Sequence, residues 1–233
     1  MQEIEALYER RSVKHYRDEP LREEDRQALL DEIAKINAVS GLHIQLMEDE
    51  PVVFRHYVSR ATGLISACHY FALVGPKNPN LGRQVGYWGQ RLVLFAQSIG
   101  LNTNWTGGSR RLGASTAQVN KGEKLVIVIA VGYGEDNGKE RETRPVEELC
   151  IVPDGLDNAP DWFISGMKAA QAAPTGFNRQ KFRIVLHEDG TCEAKDTAFI
   201  KLTDVDLGTV MYNFEVGARP HTVTWRHSFL KPT

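Results

Sequence analysis

The stretch Ala172-Ala173-Pro174-Thr175-Gly176-Phe177-Asn178-Arg179-Gln180-Lys181-Phe182 ends one element of this chain and begins another. Pro174 lacks an N–H, has a fixed φ and drives Ala173 out of the α region, so a helix running from Asp161 to Gln171 must stop here. Thr175 and Gly176 then form a tight turn with exposed backbone N–H groups, ahead of a strand over Phe182 to Leu186. Asn178 and Gln180 are two apart, so in extended backbone their amides point to one side. Two carboxamides beside free turn amides suit a flat heterocycle that both donates and accepts hydrogen bonds. An ordinary helix-to-strand connection accounts for the same residues.

Composition narrows the setting. With 233 residues the chain can bury a substantial core, as one large domain or two smaller ones. A hydrophobic content of 42% with 25% charged residues is that of a soluble globular protein. A net charge of −2 argues against a dedicated nucleic-acid or anionic-membrane binder. Cys68, Cys150 and Cys192 are odd in number and form no C-x-x-C, so a disulfide framework or dithiol relay is not expected. The opening Met1-Gln2-Glu3-Ile4-Glu5 has no basic-then-apolar leader, and no apolar run reaches membrane length. A cytoplasmic protein is expected.

Upstream, Glu3 to Lys14 reads as a first helix, with acids early and bases late, as the helix dipole favours. It carries Arg10-Arg11-Ser12-Val13-Lys14. In a helix Arg10 and Lys14 are like charges at i,i+4, a pair that an anion between them turns attractive. Two guanidinium forks, an ammonium and a hydroxyl suit a phosphate monoester. A solvated cationic helix end is the plainer alternative.

Leu21 to Ile36 gives a second helix, running into Ala38-Val39-Ser40-Gly41-Leu42-His43-Ile44-Gln45. Set beneath residues 173–180 at a constant offset of 135, Ala, Gly and Gln coincide, Ser pairs with Thr, and Leu with Phe. An internal duplication is expected, its first copy having lost the Pro and the Asn. Tyr70 to Val74 is a buried strand, and Gln84 to Ile99 a central apolar helix closed by Gly100. Leu125 to Val131 is a β-branched strand ending at Gly132-Tyr133-Gly134, followed by a charged stretch and Arg144-Pro145-Val146-Glu147-Glu148-Leu149. Past a linker come a hairpin turning at Asp189-Gly190, a helix over Val205 to Val216 and a last strand over Thr222 to Trp225.

The 173–182 stretch resembles the A-P-S-x-x-N-x-Q-P-W segment of the nitroreductase-like, FMN-dependent oxidoreductases. Ala173, Pro174, Asn178 and Gln180 match, whereas Thr175, Lys181 and Phe182 replace Ser, Pro and Trp. Arg10-Arg11-Ser12, Lys14 and Tyr16 are similar to the family's opening R-R-S-x-R/K-x-F, which holds the FMN phosphate. Gly100-Leu101-Asn102-Thr103-Asn104-Trp105 resembles its G-L-x-x-x-W segment, near whose end backbone amides approach the flavin. Arg144-Pro145 resembles the ending in which a basic residue completes the phosphate site; Arg141 is a weaker candidate for that role.

The resemblance implies a phosphate grip of Arg10, Arg11, Ser12, Lys14 and Arg144. It implies a ring site formed by Gly107, Gly108, Pro174, Thr175, Asn178 and Gln180. A plain turn at Gly107-Gly108 and a surface role for Arg144 remain the alternatives. With the grip in the first half and the intact loop in the second, the chain looks like two fused subunits, as in the single-chain branch called the "putative TM nitroreductase" family. An α+β fold is therefore expected: a nitroreductase-like three-layer sandwich with two pseudo-symmetric halves, residues 1–150 and 158–233, joined by a linker at 151–157. One FMN would lie between them, without need of a dimer. The implied enzyme takes hydride from NADH or NADPH onto flavin N5 and reduces a nitroaromatic, quinone or similar small acceptor. A flavin carrier without turnover, or a relative that binds no flavin, is the alternative.

Other chemistries lack their patterns. The seven histidines show no H-E-x-x-H spacing, so no metal is expected. No G-x-G-x-x-G with a following acidic residue, no P-loop and no G-x-S-x-G elbow occurs.

Overall fold

The computed structural model describes residues 1–54, 66–106, 112–197 and 204–227. It is an α+β fold with two sheets and a layer of helices between them. The first sheet has strands β1 (His43–Met47), β2 (His69–Pro76), β3 (Asn102–Thr106) and β4 (Glu123–Gly132), ordered β1-β2-β4-β3. Every pairing in it is antiparallel, with Ile44 opposite Leu73, Phe71 opposite Ile129 and Asn104 opposite Ala130.

Strand alternation divides this sheet into two buried faces. Ile44, Phe71, Leu73, Ile127, Ile129 and Val131 pack on helices α2 (Glu23–Ser40) and α3 (Leu81–Ser98). Tyr70, Ala72, Val128 and Ala130 face the other way, where Val13, Tyr16, Val53 and Phe54 cover them. Helix α2 closes at Gly41 in the left-handed region, φ 69°. Asn37 then ties the helix to β1 through both atoms of its amide, accepting from Ile44 N and donating to Ile44 O, each at 2.9 Å.

The second sheet comprises β5 (Cys150–Ile151), β6 (Phe182–Leu186) and β7 (Cys192–Asp196). Strands β5 and β6 run parallel, and β6–β7 is the expected hairpin, with Gly190 at φ 76°. Because Cys150 pairs with Ile184, the expected boundary at residue 150 falls inside this sheet. Its inner face packs on α5 (Asp161–Gln171) and α6 (Asp204–Ala218), preceded by a one-turn helix α4 (Val146–Leu149).

Helices α3 and α6 hold the two sheets together, and they cross backbone to backbone. A Cβ on Gly86 would lie 2.0 Å from Val205 O, and one on Gly208 2.2 Å from Arg83 O. Only residues without a side chain permit that approach.

Two expectations need correction. The first helix, α1 (Glu3–Glu9), stops before the cationic run, with Arg10 at φ −56°, ψ 131°. Arg11 Nη1 donates to Tyr8 O at 2.6 Å and Arg10 O at 3.1 Å, satisfying carbonyls at the helix end. Beyond it Ser12 bridges Thr103, and Val13 N donates to Thr103 O, so a strand edge replaces the helical ladder. The segment Thr222 to Trp225 is no strand: it meets β7 in a single isolated bridge at Cys192, whose N donates to Thr224 O and whose O accepts from Arg226 N. The two aligned stretches each join a helix to a strand, with the element ends at different positions. Residues 38–40 end a helix, whereas 173–175 lie beyond one, and β1 begins at 43 while β6 begins at 182.

Candidate functional site

Once α1 ends, residues 12–14 alternate like a strand. Val13 turns into the core, and Ser12 and Lys14 are exposed on the opposite side. Strand periodicity thus pairs the two residues that helical spacing would have separated. Arg10, at the junction, is only 1% exposed. Its Nη1 makes one long contact, 3.5 Å, with Ser12 Oγ. Its Nε and Nη2 are buried with no hydrogen-bond partner.

The charges near Arg10 are of the same sign. Burial, then Arg141, then Arg11 push its guanidinium well below the ordinary value, with Tyr16 acting weakly the other way. Burial and Arg11 push Arg141 down to about 10. No carboxylate acts on either guanidinium among the described residues. Three clustered cations with two orphaned buried nitrogens are a donor set made for an anion, because an uncompensated buried charge is costly.

The second-half loop reaches this cluster through residues 141–144. Asn178 Nδ2 donates to Glu142 O at 2.8 Å. Gln180, 1% exposed, accepts from Arg144 N at 2.7 Å and donates to Gln171 O at 2.9 Å. Gln171 in turn donates to Arg144 O at 2.6 Å. The carboxamides of Asn178 and Gln180 therefore converge on one segment, but not by extended geometry. Phe177, Asn178 and Gln180 have φ of 54°, 54° and 47°, a wound conformation that non-glycine residues seldom adopt.

Four bonds hold that conformation. Thr209 Oγ1 donates to Pro174 O at 2.8 Å, and Gly176 N donates to Asp206 Oδ2 at 2.9 Å. Thr175 accepts from Gln180 N on its hydroxyl, at 3.0 Å, and from Asn178 N on its carbonyl, at 2.9 Å. Burial, opposed by the Gly176 N–H and aided by Asp196, raises the Asp206 carboxyl to about 6.

A buried polar chain ties the loop's helix to the first sheet. Trp105 Nε1 donates to Gln90 Oε1 at 3.4 Å, Gln90 to Asn213 Oδ1 at 2.9 Å, and Asn213 to Ala169 O at 3.1 Å. Gly107 and Gly108, just past Trp105, lie outside the described residues.

Of the sequence candidates, Arg10, Arg11, Ser12 and Lys14 share one strap, and Pro174, Thr175, Asn178 and Gln180 share one loop beside it. Arg144 joins through its backbone, while its guanidinium pairs with Glu148 at 3.3 Å. Arg141 supplies the cationic side chain instead. Its neighbours Glu140 and Glu142 make the stretch read as a solvated charge run, which hides it. Among the described residues no cluster of His, Cys, Asp or Glu could hold a metal, and no helix is long and apolar enough to cross a membrane.

A family model described as "Putative TM nitroreductase" matches residues 3–218. The chain belongs to that family. Membership makes this TM nitroreductase-family chain an oxidoreductase by class, and its fold agrees. It is similar to a solved structure described as a "putative nitroreductase" of Thermotoga maritima. The TM-score is 0.65 at 19% identity, covering 94% of this chain and 84% of that one. A nitroreductase family protein from Streptococcus pneumoniae gives 0.52 at 16% identity, covering 64% of this chain and 98% of that one. A structure described as a "putative nitroreductase" of Desulfovibrio desulfuricans, solved in complex with FMN, gives 0.50 at 20% identity, covering 64% and 94%. Among curated proteins none matches the sequence.

Proposed function

We propose that this TM nitroreductase-family chain is an FMN-dependent oxidoreductase that takes electrons from NADH or NADPH and passes two of them to a nitroaromatic, quinone or similar small acceptor. One observation carries the reading: the buried Arg10 guanidinium, with two unpaired nitrogens among like charges and, among the described residues, no acid acting on it. That donor set fits a phosphate monoester. A relative of the same fold is solved with FMN, whose phosphate would meet that need.

Arg10 and Arg141 would hold the phosphate, with Ser12 and Lys14 on the exposed side of the strap. Arg11, already closing α1, would contribute chiefly its charge. Pro174, Thr175 and Asn178 would form the wall beside the ring, and Gln180 would hold that wall in place from beneath. FMN, when bound, supplies reversible two-electron transfer, so the protein need only bind and orient its substrates and stabilise developing charge.

The test compares apoprotein titrations with FMN and with riboflavin, which lacks the phosphate. Arg10→Met should weaken FMN by about thirtyfold, equivalent to about 2 kcal/mol for a charge-assisted bond, and riboflavin far less. Equal losses would sink the assignment. Anaerobic bleaching of the yellow holoprotein by NADH or NADPH then separates an enzyme from a carrier.

A further inference from the structure

We infer that the Tyr16 hydroxyl is a further donor in this anion site, directed at the same phosphate group as Arg10. Where the related opening motif has Phe, this chain has Tyr16, and the ring position is kept while one polar atom is added. Tyr16 is 2% exposed and its ring packs with Val13, Phe54, Tyr70 and Ala130, as a Phe would. Its hydroxyl is buried and has no hydrogen-bond partner. A buried hydroxyl is normally satisfied, so an orphan of this kind asks for an explanation.

Among the described residues the charge acting on that hydroxyl is Arg10, whose own Nε and Nη2 are unpaired as well. Two orphaned groups on one strap, each within the other's electrostatic reach, are explained together by one ligand that accepts from both. A phosphate monoester does so, having three strong acceptor oxygens.

The strap cannot relax to satisfy the hydroxyl from within. Val13 N donates to Thr103 O, Asn104 Nδ2 donates to Val13 O at 3.0 Å, Tyr16 N donates to Ser66 Oγ at 2.7 Å, and Arg17 N donates to Tyr133 O at 2.9 Å. Gly132 lies beneath the ring, where a Cβ would come within 3.3 Å of Tyr16 Cδ1. Tyr16 is thus fixed in position before any ligand arrives, and a preorganised donor loses little entropy on binding.

The inference rests on the phosphate reading above, and the experiment separates the two. Tyr16→Phe should raise the FMN dissociation constant about tenfold and leave that for riboflavin within about twofold. The apoprotein's melting temperature should stay level or rise, because the substitution removes only an unsatisfied atom. Inorganic phosphate should raise that melting temperature in the parent and less so in Tyr16→Phe. Equal losses for FMN and riboflavin, or an apoprotein destabilised by the substitution, would overturn the role of Tyr16. If the parent binds no FMN yet phosphate still protects it more than the variant, Tyr16 keeps its place and the flavin reading fails. If neither FMN nor phosphate distinguishes the two proteins, the inference fails.

Discussion

Arg10 holds a buried charge that the surrounding protein does not neutralise, and this sets two opposite expectations for one substitution. Arg10→Met should raise the melting temperature of the apoprotein, because an uncompensated buried cation is removed. The same change should shrink the further rise produced by FMN, a pattern that differential scanning fluorimetry resolves. Asn178→Ala, with one amide proton on Glu142 O and the rest of the carboxamide exposed, should weaken flavin binding by about 1–3 kcal/mol. His43→Ala is the control: its ring pairs with Glu123 at 3.0 Å on the edge strand β1, and flavin affinity should not change. Asp206 gives a pH signature. Its pKa rises from an ordinary 3.8 to about 6, so the folded state binds more protons than the unfolded one in that window. Its contribution therefore favours the fold below about pH 4 and is lost as pH rises towards 6. Relative to the parent, Asp206→Asn should gain stability progressively over that range and hold the gain above it, as urea unfolding at stepped pH would show. At this scale the sequence marks out residues that the fold places on one strap, Arg10 and Ser12, and on the loop beside it, Asn178. It does not where a residue's meaning depends on a distant partner. Gln180 looks like a ligand in sequence and proves to be a brace, because Arg144 N and Gln171 O meet its amide only after folding.

Among the elements, the α3–α6 crossing bears most directly on keeping the site's two parts in register. Gly86→Ala must push the helices apart at Val205 O, and overpacking of this kind costs about 1–3 kcal/mol or more. Gly113→Ala, with nothing within 4 Å of the added methyl, should be neutral. Chemical denaturation of the two variants would check the contrast, and a Gly86→Ala protein as stable as the parent would show that the helices slide freely. The long helices and central strands could be read from periodic burial, which is a local property. The end of α1 could not, because Thr103, which captures Ser12 and Val13, lies some 90 residues downstream. The apparent repeat holds in outline: a helix precedes and a strand follows in both copies, but the first helix ends inside its eight positions and the second before them.

For the whole molecule, the cationic strap and the wound loop each occur once among the described residues, and titration should therefore saturate at one flavin per 233 residues. Two flavins per chain would mean that the first half carries a ring site of its own. Helix α1 bears on how such a molecule can be made. Leu7 sits in the core of the second sheet, and Glu3 accepts from Tyr212 Oη and from Arg219 Nη1. Those partners lie 209 and 216 residues further along, so α1 cannot find its place until α6 has been made. The nascent chain must keep Leu7 unsettled until α6 has been translated, whereas the cationic strap can settle earlier on Thr103 and Tyr133. Helix α1 is made before its partners and is placed only after them.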